Sequence, residues 1–196
     1  MKILSSLLLF LILAFAGHAQ NGYVPTTIKT ATFELTRPTN TAAYSALDVV
    51  ANSVSGTTLS TPVTITITPV ASPKNSNSPI PAYGNIVKAV IATTQTTCVA
   101  RFRIHLFTAT LTPLGDNDAY TALYTNKLID AGYIDFPACV TDGAGSSMAF
   151  SQVLNSSFPF KLPSSSVSIY AIFETLDAFT PDSDQKFFIK LIFDSN

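Results

Sequence analysis

The stretch Val63-Thr-Ile-Thr-Ile-Thr68 alternates apolar and hydroxyl side chains without a break. Successive side chains of a strand point to opposite faces, so this pattern buries one face and wets the other, and it cannot form a 3.6-residue helical stripe. The same period returns in Arg101-Phe-Arg-Ile-His-Leu-Phe-Thr108, where Phe102, Ile104 and Leu106 point one way and Arg101, Arg103 and His105 the other. Tyr170-Ala-Ile-Phe173 and Phe187-Phe-Ile-Lys-Leu-Ile-Phe193 are more continuously apolar, which marks central strands covered on both sides. Pro, Gly, Ser and Asn punctuate these runs, as expected of short strands joined by turns. Strands are expected over residues 31–35, 47–51, 63–69, 85–94, 101–108, 133–136, 148–153, 167–175 and 186–193. So many strands require two packed sheets. The expected fold is all-β: a single antiparallel β-sandwich, jelly-roll-like, with one short helix. That helix is expected over 118–130, where Ala119, Leu123 and Leu128 approximate one face and Asp116 or Asp118 can cap the amino end.

The chain divides into a leader, 1–19, and one β-sandwich domain, 20–196. Lys2 supplies a positive start, residues 7–16 an apolar core and Gly17-His-Ala19 a small-x-small cleavage pattern, which together read as a secretory signal peptide. The apolar part falls short of the about 20 residues a membrane span needs, so no stable anchor is expected after cleavage. The proline-rich segment 71–82 is a long connection, not a linker, because residues 31–70 alone hold too few strands to bury two faces. Cleavage after Ala19 leaves ten Lys and Arg against twelve Asp and Glu, a net charge of −2. The lysines are scattered singly, which speaks against nucleic-acid binding, since phosphate tracking needs clustered cations. Charged residues make up 12% of the chain, about half the usual share of roughly 25%. Solubility then rests on Ser, Thr and Asn, which suits an extracellular or particle-bound protein.

Cys98 and Cys139 are the only cysteines. In an exported chain they are expected to pair, and a disulfide closing a loop of roughly 40 residues contributes about 4 kcal/mol on chain-entropy grounds. The alternative is two buried, unpaired thiols. After cleavage His105 is the only histidine, so no site built on two histidines can form within one subunit. With Arg101 and Arg103 it makes a cationic stripe, either a solvated face or a candidate interface, and Glu174 and Asp177 are candidate carboxylate partners. Gly143-Ala-Gly-Ser-Ser147 is not a nucleophile elbow, and Glu34 and Glu174 sit in strand patterns with no Trp nearby to hold a sugar. No catalytic residue is assigned and the chain is read as a non-enzyme. Asp116-Asn117-Asp118 is a capping turn or a weak Ca²⁺ site; no other cofactor is expected. Asn155-Ser-Ser157 has the form of a glycosylation sequon.

Three segments carry a family likeness: Arg101-Phe-Arg-Ile-His-Leu-Phe-Thr-Ala-Thr-Leu-Thr-Pro-Leu-Gly-Asp-Asn-Asp-Ala-Tyr120, Gly132-Tyr-Ile-Asp-Phe136 and Glu174-Thr-Leu-Asp-Ala-Phe-Thr-Pro181. They resemble an uncharacterised family of tailed-bacteriophage virion structural proteins, β-sandwiches associated with the head or the tail. The resemblance implies a non-enzymatic structural or assembly protein of a phage particle, a head decoration or tail component. Its partners would be proteins of that particle or further copies of itself. The signal-like start points instead to a secreted bacterial β-sandwich binding or adhesion module, with loops at one end recognising a glycan or a protein. Tyr44, Tyr83, Tyr120 and Tyr124 lie near the expected loops and turns. The expected location is accordingly export by the signal peptide, or the virion.

Overall fold

The computed structural model describes residues 27–54, 63–66, 83–151, 158–161 and 168–195. The leader 1–19, the connection 71–82 and the sequon at 155–157 lie outside the described residues. The strands are β1 (Thr27–Thr36), β2 (Val63–Thr66), β3 (Tyr83–Thr93), β4 (Phe102–Phe107), β5 (Asp130–Phe136), β6 (Val140–Thr141), β7 (Ser147–Phe150), β8 (Phe158–Lys161), β9 (Ser168–Thr175) and β10 (Lys186–Ser195). A larger sheet has the order β1-β10-β3-β7-β6, with β8 also on β3, and a smaller sheet the order β2-β9-β4-β5.

All pairings are antiparallel and nested: β1 with β10, β2 with β9, β3 with β7 and β8, β4 with β5. One long hairpin whose tip lies between β4 and β5 gives these pairs. Wrapping it brings β10 against β3 and β9 against β4, which is jelly-roll order. β7 and β8 lie end to end along β3, on Val90 to Thr93 and Tyr83 to Ile86 respectively. Between them Ser151 keeps the ladder satisfied. Its N–H donates to the Ala89 carbonyl and its Oγ accepts from the Ala89 N–H, both at 2.9 Å.

The core is where the two alternations face each other. Phe187, Ile189, Leu191 and Phe193 of β10, with Ile86, Ala89 and Ile91 of β3, meet Phe102, Ile104 and Leu106 of β4 and Ile169, Ala171 and Phe173 of β9. Each large side chain fully buried there contributes about 1.5–3 kcal/mol. Phe102 sits at the centre, stacked on Phe173 at 5.0 Å and edge-on to Phe179 and Phe187. A bulge lets both Ile86 and Ala89 face inward, because the register steps from Lys88 to Ile86 opposite Ile192 and Phe193 and leaves Val87 at the surface.

Three expectations need correction. In place of the helix over 118–130 there is one 3₁₀ turn, Tyr124–Leu128, with no buried residue and no side-chain cap on Leu123. Leu123 and Leu128 are exposed, so no apolar face offsets the cost of nucleating a helix. The strand expected at 47–51 is reduced to bridges through Asp48 and Val49. The expected disulfide is absent: Cys98 and Cys139 are free and buried. Pairing of β4 with β5 brings their segments together, with the Cys139 N–H donating to the Ala100 carbonyl at 3.2 Å. The nearness of the two thiols lowers the Cys98 pKa and, with burial, pushes Cys139 up.

Candidate functional site

The outer face of β4 presents Arg101, Arg103 and His105, and the neighbouring strands decide what each one meets. Arg103 lies in register between Glu174 of β9 and Asp135 of β5. It takes Asp135 in a two-pronged pair, Nε to Oδ1 at 2.6 Å and Nη2 to Oδ2 at 2.9 Å, and that pairing holds its pKa above the ordinary guanidinium value. Glu174 is left for His105, with Nε2 to Oε2 at 2.7 Å in a buried pair. Arg101 pairs with Asp177, Nη2 to Oδ1 at 2.7 Å, and its backbone N–H also donates to Asp177. Both Glu174 and Asp177 therefore serve this stripe, but Glu174 engages the histidine, and Asp135 is a partner that charge matching alone missed. Alternation in Tyr133-Ile-Asp135 was the available signal, since it sends Tyr133 and Asp135 outward together.

The aromatic rings are ordered by the same groups. Tyr120 stacks on His105 at 4.1 Å between centroids, and the Arg103 guanidinium lies 4.0 Å from the centre of the Tyr133 ring. Burial, then the carboxylates of Asp130 and Glu174, push the Tyr120 phenol up, so it stays neutral. Beside these rings a second bulge, at Leu106/Phe107 of β4 opposite Gly132 and Asp130 of β5, places Gly132 at φ 106°, a conformation that favours glycine. Asp130 steadies it by accepting the Gly132 N–H at 2.7 Å. A pocket of about 590 Å³ opens here, lined by Arg103, His105, Tyr120, Lys127, Asp130 and Tyr133, together with the bulge backbone.

The rest of this outer face is covered. Val49, Ala51, Phe107, Leu111 and Ile172 form a second apolar cluster, with Tyr120 and Tyr170 packed against it. Residues 47–50 hydrogen-bond along β9, and 116–120 hydrogen-bond along them in turn. The cover is pinned by a buried polar cluster. Asp116 Oδ2 accepts from Arg37 Nη2 at 2.8 Å, and its Oδ1 accepts from the Tyr44 hydroxyl at 2.5 Å and the Ala51 N–H at 2.9 Å. Arg37 Nε also donates to the Tyr44 hydroxyl. Burial, with Asp116 beside it, raises the Tyr44 pKa and keeps that phenol a donor.

This geometry corrects the Ca²⁺ expectation. Asp116 is consumed by Arg37, the Asn117 amide donates to Asp48 and the Ala43 carbonyl, and Asp118 accepts the Gly115 N–H at 2.8 Å. The three side chains diverge, and neither aspartate caps a helix. The Gly115 turn is tight: a Cβ there would stand 2.8 Å from the Val54 carbonyl oxygen. Among the described residues no group of three or more His, Cys, Asp or Glu is placed to hold a metal ion. Tyr44 is also lost as a loop-borne recognition residue, being buried and stacked on Phe179 at 4.9 Å. Tyr124 is exposed, and the side chain of Tyr83 lies outside the described residues.

The larger sheet has a different exterior. Glu34, Phe188, Ala92, Met148 and Val140 stand in one row across β1, β10, β3, β7 and β6, and Thr32, Lys190, Val90 and Phe150 in the next. Phe188 is 41% exposed, Phe150 46% and Val140 65%. Lys88 lies over the Phe150 ring at 4.5 Å, and Lys186 pairs with Glu34 at 2.9 Å. No residue of the second apolar cluster lies on this face.

The sequence matches no family model and no curated protein. The three segments that carried the resemblance converge in space, since they supply β4, β5 and the end of β9, adjacent strands of the smaller sheet.

Proposed function

We propose that the chain is a non-enzymatic structural protein of a phage particle, head- or tail-associated, that works by surface association with further copies of itself. The observation that carries this reading is the apolar band on the larger sheet, Phe188-Ala92-Met148-Val140 flanked by Val90 and Phe150. Lone exposed apolar residues are ordinary, but a contiguous apolar band is what an interface uses. Lysines 88 and 190 flank the band, while Glu34 at its end pairs with Lys186 of the same chain, so the charge left for a partner carboxylate to match is positive. On the smaller sheet, by contrast, Arg101, Arg103 and His105 each already hold a carboxylate of the same chain, so the interface assigned to them is moved to the other face.

Sedimentation velocity tests this directly. The protein is expected to run as an oligomer, and Phe150→Ser combined with Phe188→Ser to run as a monomer with its circular dichroism unchanged. In virion preparations the chain is expected by mass spectrometry. A wild-type protein that is monomeric throughout and absent from particles overturns the reading.

A second reading is favoured by the aromatic pocket on the smaller sheet and by the signal-like residues 1–19: a secreted bacterial β-sandwich binding or adhesion module. Intact mass after expression with a secretion system separates the two. A mature chain beginning at Gln20 supports export, and a soluble product retaining residues 1–19 supports assembly in the cytoplasm.

A further inference from the structure

We infer that the pocket on the outer face of the smaller sheet binds a neutral, hydroxyl-rich ligand of the saccharide class. The inference rests on the pocket itself and on neither reading of the whole protein. At about 590 Å³ the pocket falls in the range of small-molecule sites, and its floor is sheet, the most rigid platform available.

Charge narrows the ligand. Both cations of the lining are already neutralised, Arg103 by Asp135 and Lys127 by Asp130 at 3.2 Å, with Glu174 beneath against His105. An anionic ligand would compete with carboxylates already in place, and a cationic one would meet Arg103 and Lys127. A wholly apolar ligand would strip water from these ions without replacing their hydrogen bonds. A hydroxyl group both donates and accepts, which is what the lining offers. Among the described residues Arg103 Nη1 and two of the Lys127 N–H groups meet no acceptor, while Asp130 retains lone pairs beyond those given to Lys127 and Gly132.

Shape narrows it further. The Tyr133 ring, 51% exposed, is held by the guanidinium of Arg103, and the Tyr120 ring by its stack on His105. Two oriented rings beside paired donors and acceptors match the apolar C–H face and hydroxyl rim of a pyranose. Because both rings are fixed before a ligand arrives, little side-chain entropy is lost on binding.

Calorimetric titration of the full chain with neutral tetrasaccharides of glucose, mannose, galactose and N-acetylglucosamine, and with a sulfated tetrasaccharide, tests the assignment. At least one neutral sugar is expected to bind saturably with Kd of about 1 mM or tighter. Tyr133→Ala is expected to weaken that binding about tenfold, equivalent to about 1.4 kcal/mol, and Tyr133→Phe less than threefold, because the ring is the platform. Lys127→Ala, at a surface position, gives an independent loss of about threefold. Thermal midpoints of the variants are expected to match the parent. No saturable binding by any neutral sugar, tighter binding by the sulfated one, or an affinity indifferent to both Tyr133→Ala and Lys127→Ala overturns the proposal.

Discussion

On the outside of the smaller sheet, Arg103 meets Asp135, His105 meets Glu174, and the segments around Val49 and Leu111 fold back to cover Phe107 and Ile172. On the outside of the larger sheet, Phe188, Ala92 and Met148 line up in register, with Val140 and Phe150 exposed beside them. Both faces come from strands with the same alternation. That alternation decides which side chains leave the core; what receives them is decided by the connections. The connections that cover one sheet are tied together by Arg37 and Asp116, 79 residues apart.

Removing that pin gives the largest expected effect. Asp116→Ala leaves Arg37 buried without its anion and frees the Tyr44 hydroxyl, and is expected to cost about 3–5 kcal/mol in urea unfolding. The lost cover should also make the smaller sheet bind hydrophobic dye, so that the two faces come to resemble each other. A loss below about 1 kcal/mol would show that the cover holds without its pin.

A matched pair of truncations sharpens the contrast. Leu111 packs in the second cluster, so Leu111→Ala is expected to cost about 2–3 kcal/mol. Phe188 is larger but half in solvent, and Phe188→Ala measured on the monomer is expected to cost about 1 kcal/mol or less. Equal losses would mean that the two exteriors are equally packed.

The smallest effect belongs to the exposed Arg101–Asp177 pair, where the chain enters β4 and leaves β9. Hydrogen bonds from Arg101 hold the Asp177 carboxyl below its usual range. A depressed carboxyl pKa contributes stability that is present above the unfolded value, about 4, and is lost as pH falls through the lower folded value. Urea midpoints of the parent and of Asp177→Asn are therefore expected to separate slightly above pH about 4 and to converge below it, with the gap narrowing in salt.

Most of the frame was readable in the chain because strand alternation is a local signal. The 101–108 and 186–193 runs became β4 and β10 nearly at their expected bounds, and the continuously apolar runs did become the central β9 and β10. β8 was not expected; its Pro159 removes a donor, which is tolerated on a strand that pairs with the end of β3. β6, Val140–Thr141, is too short to carry a period. The site was less legible. Arg101 and Asp177 follow from charge, but the choice of Asp135 by Arg103 requires the β4–β5 register, and the Arg37–Asp116 pair requires the closed sandwich. Cys98 and Cys139 were expected to pair in a disulfide but are free and buried, the alternative reading, because adjacency in an antiparallel pair does not itself supply bonding geometry.

Nesting of the strands also sets a timetable. β1 pairs residue by residue with β10, Thr27 against Ser195 and Thr36 against Lys186, so β1 finds this partner only once β10 has been made. Until then only inner pairs such as β4 with β5 can close, and an unpaired β1 gains nothing from ordering. The pairing that closes β1 into the larger sheet is thereby delayed until β10 has been synthesised.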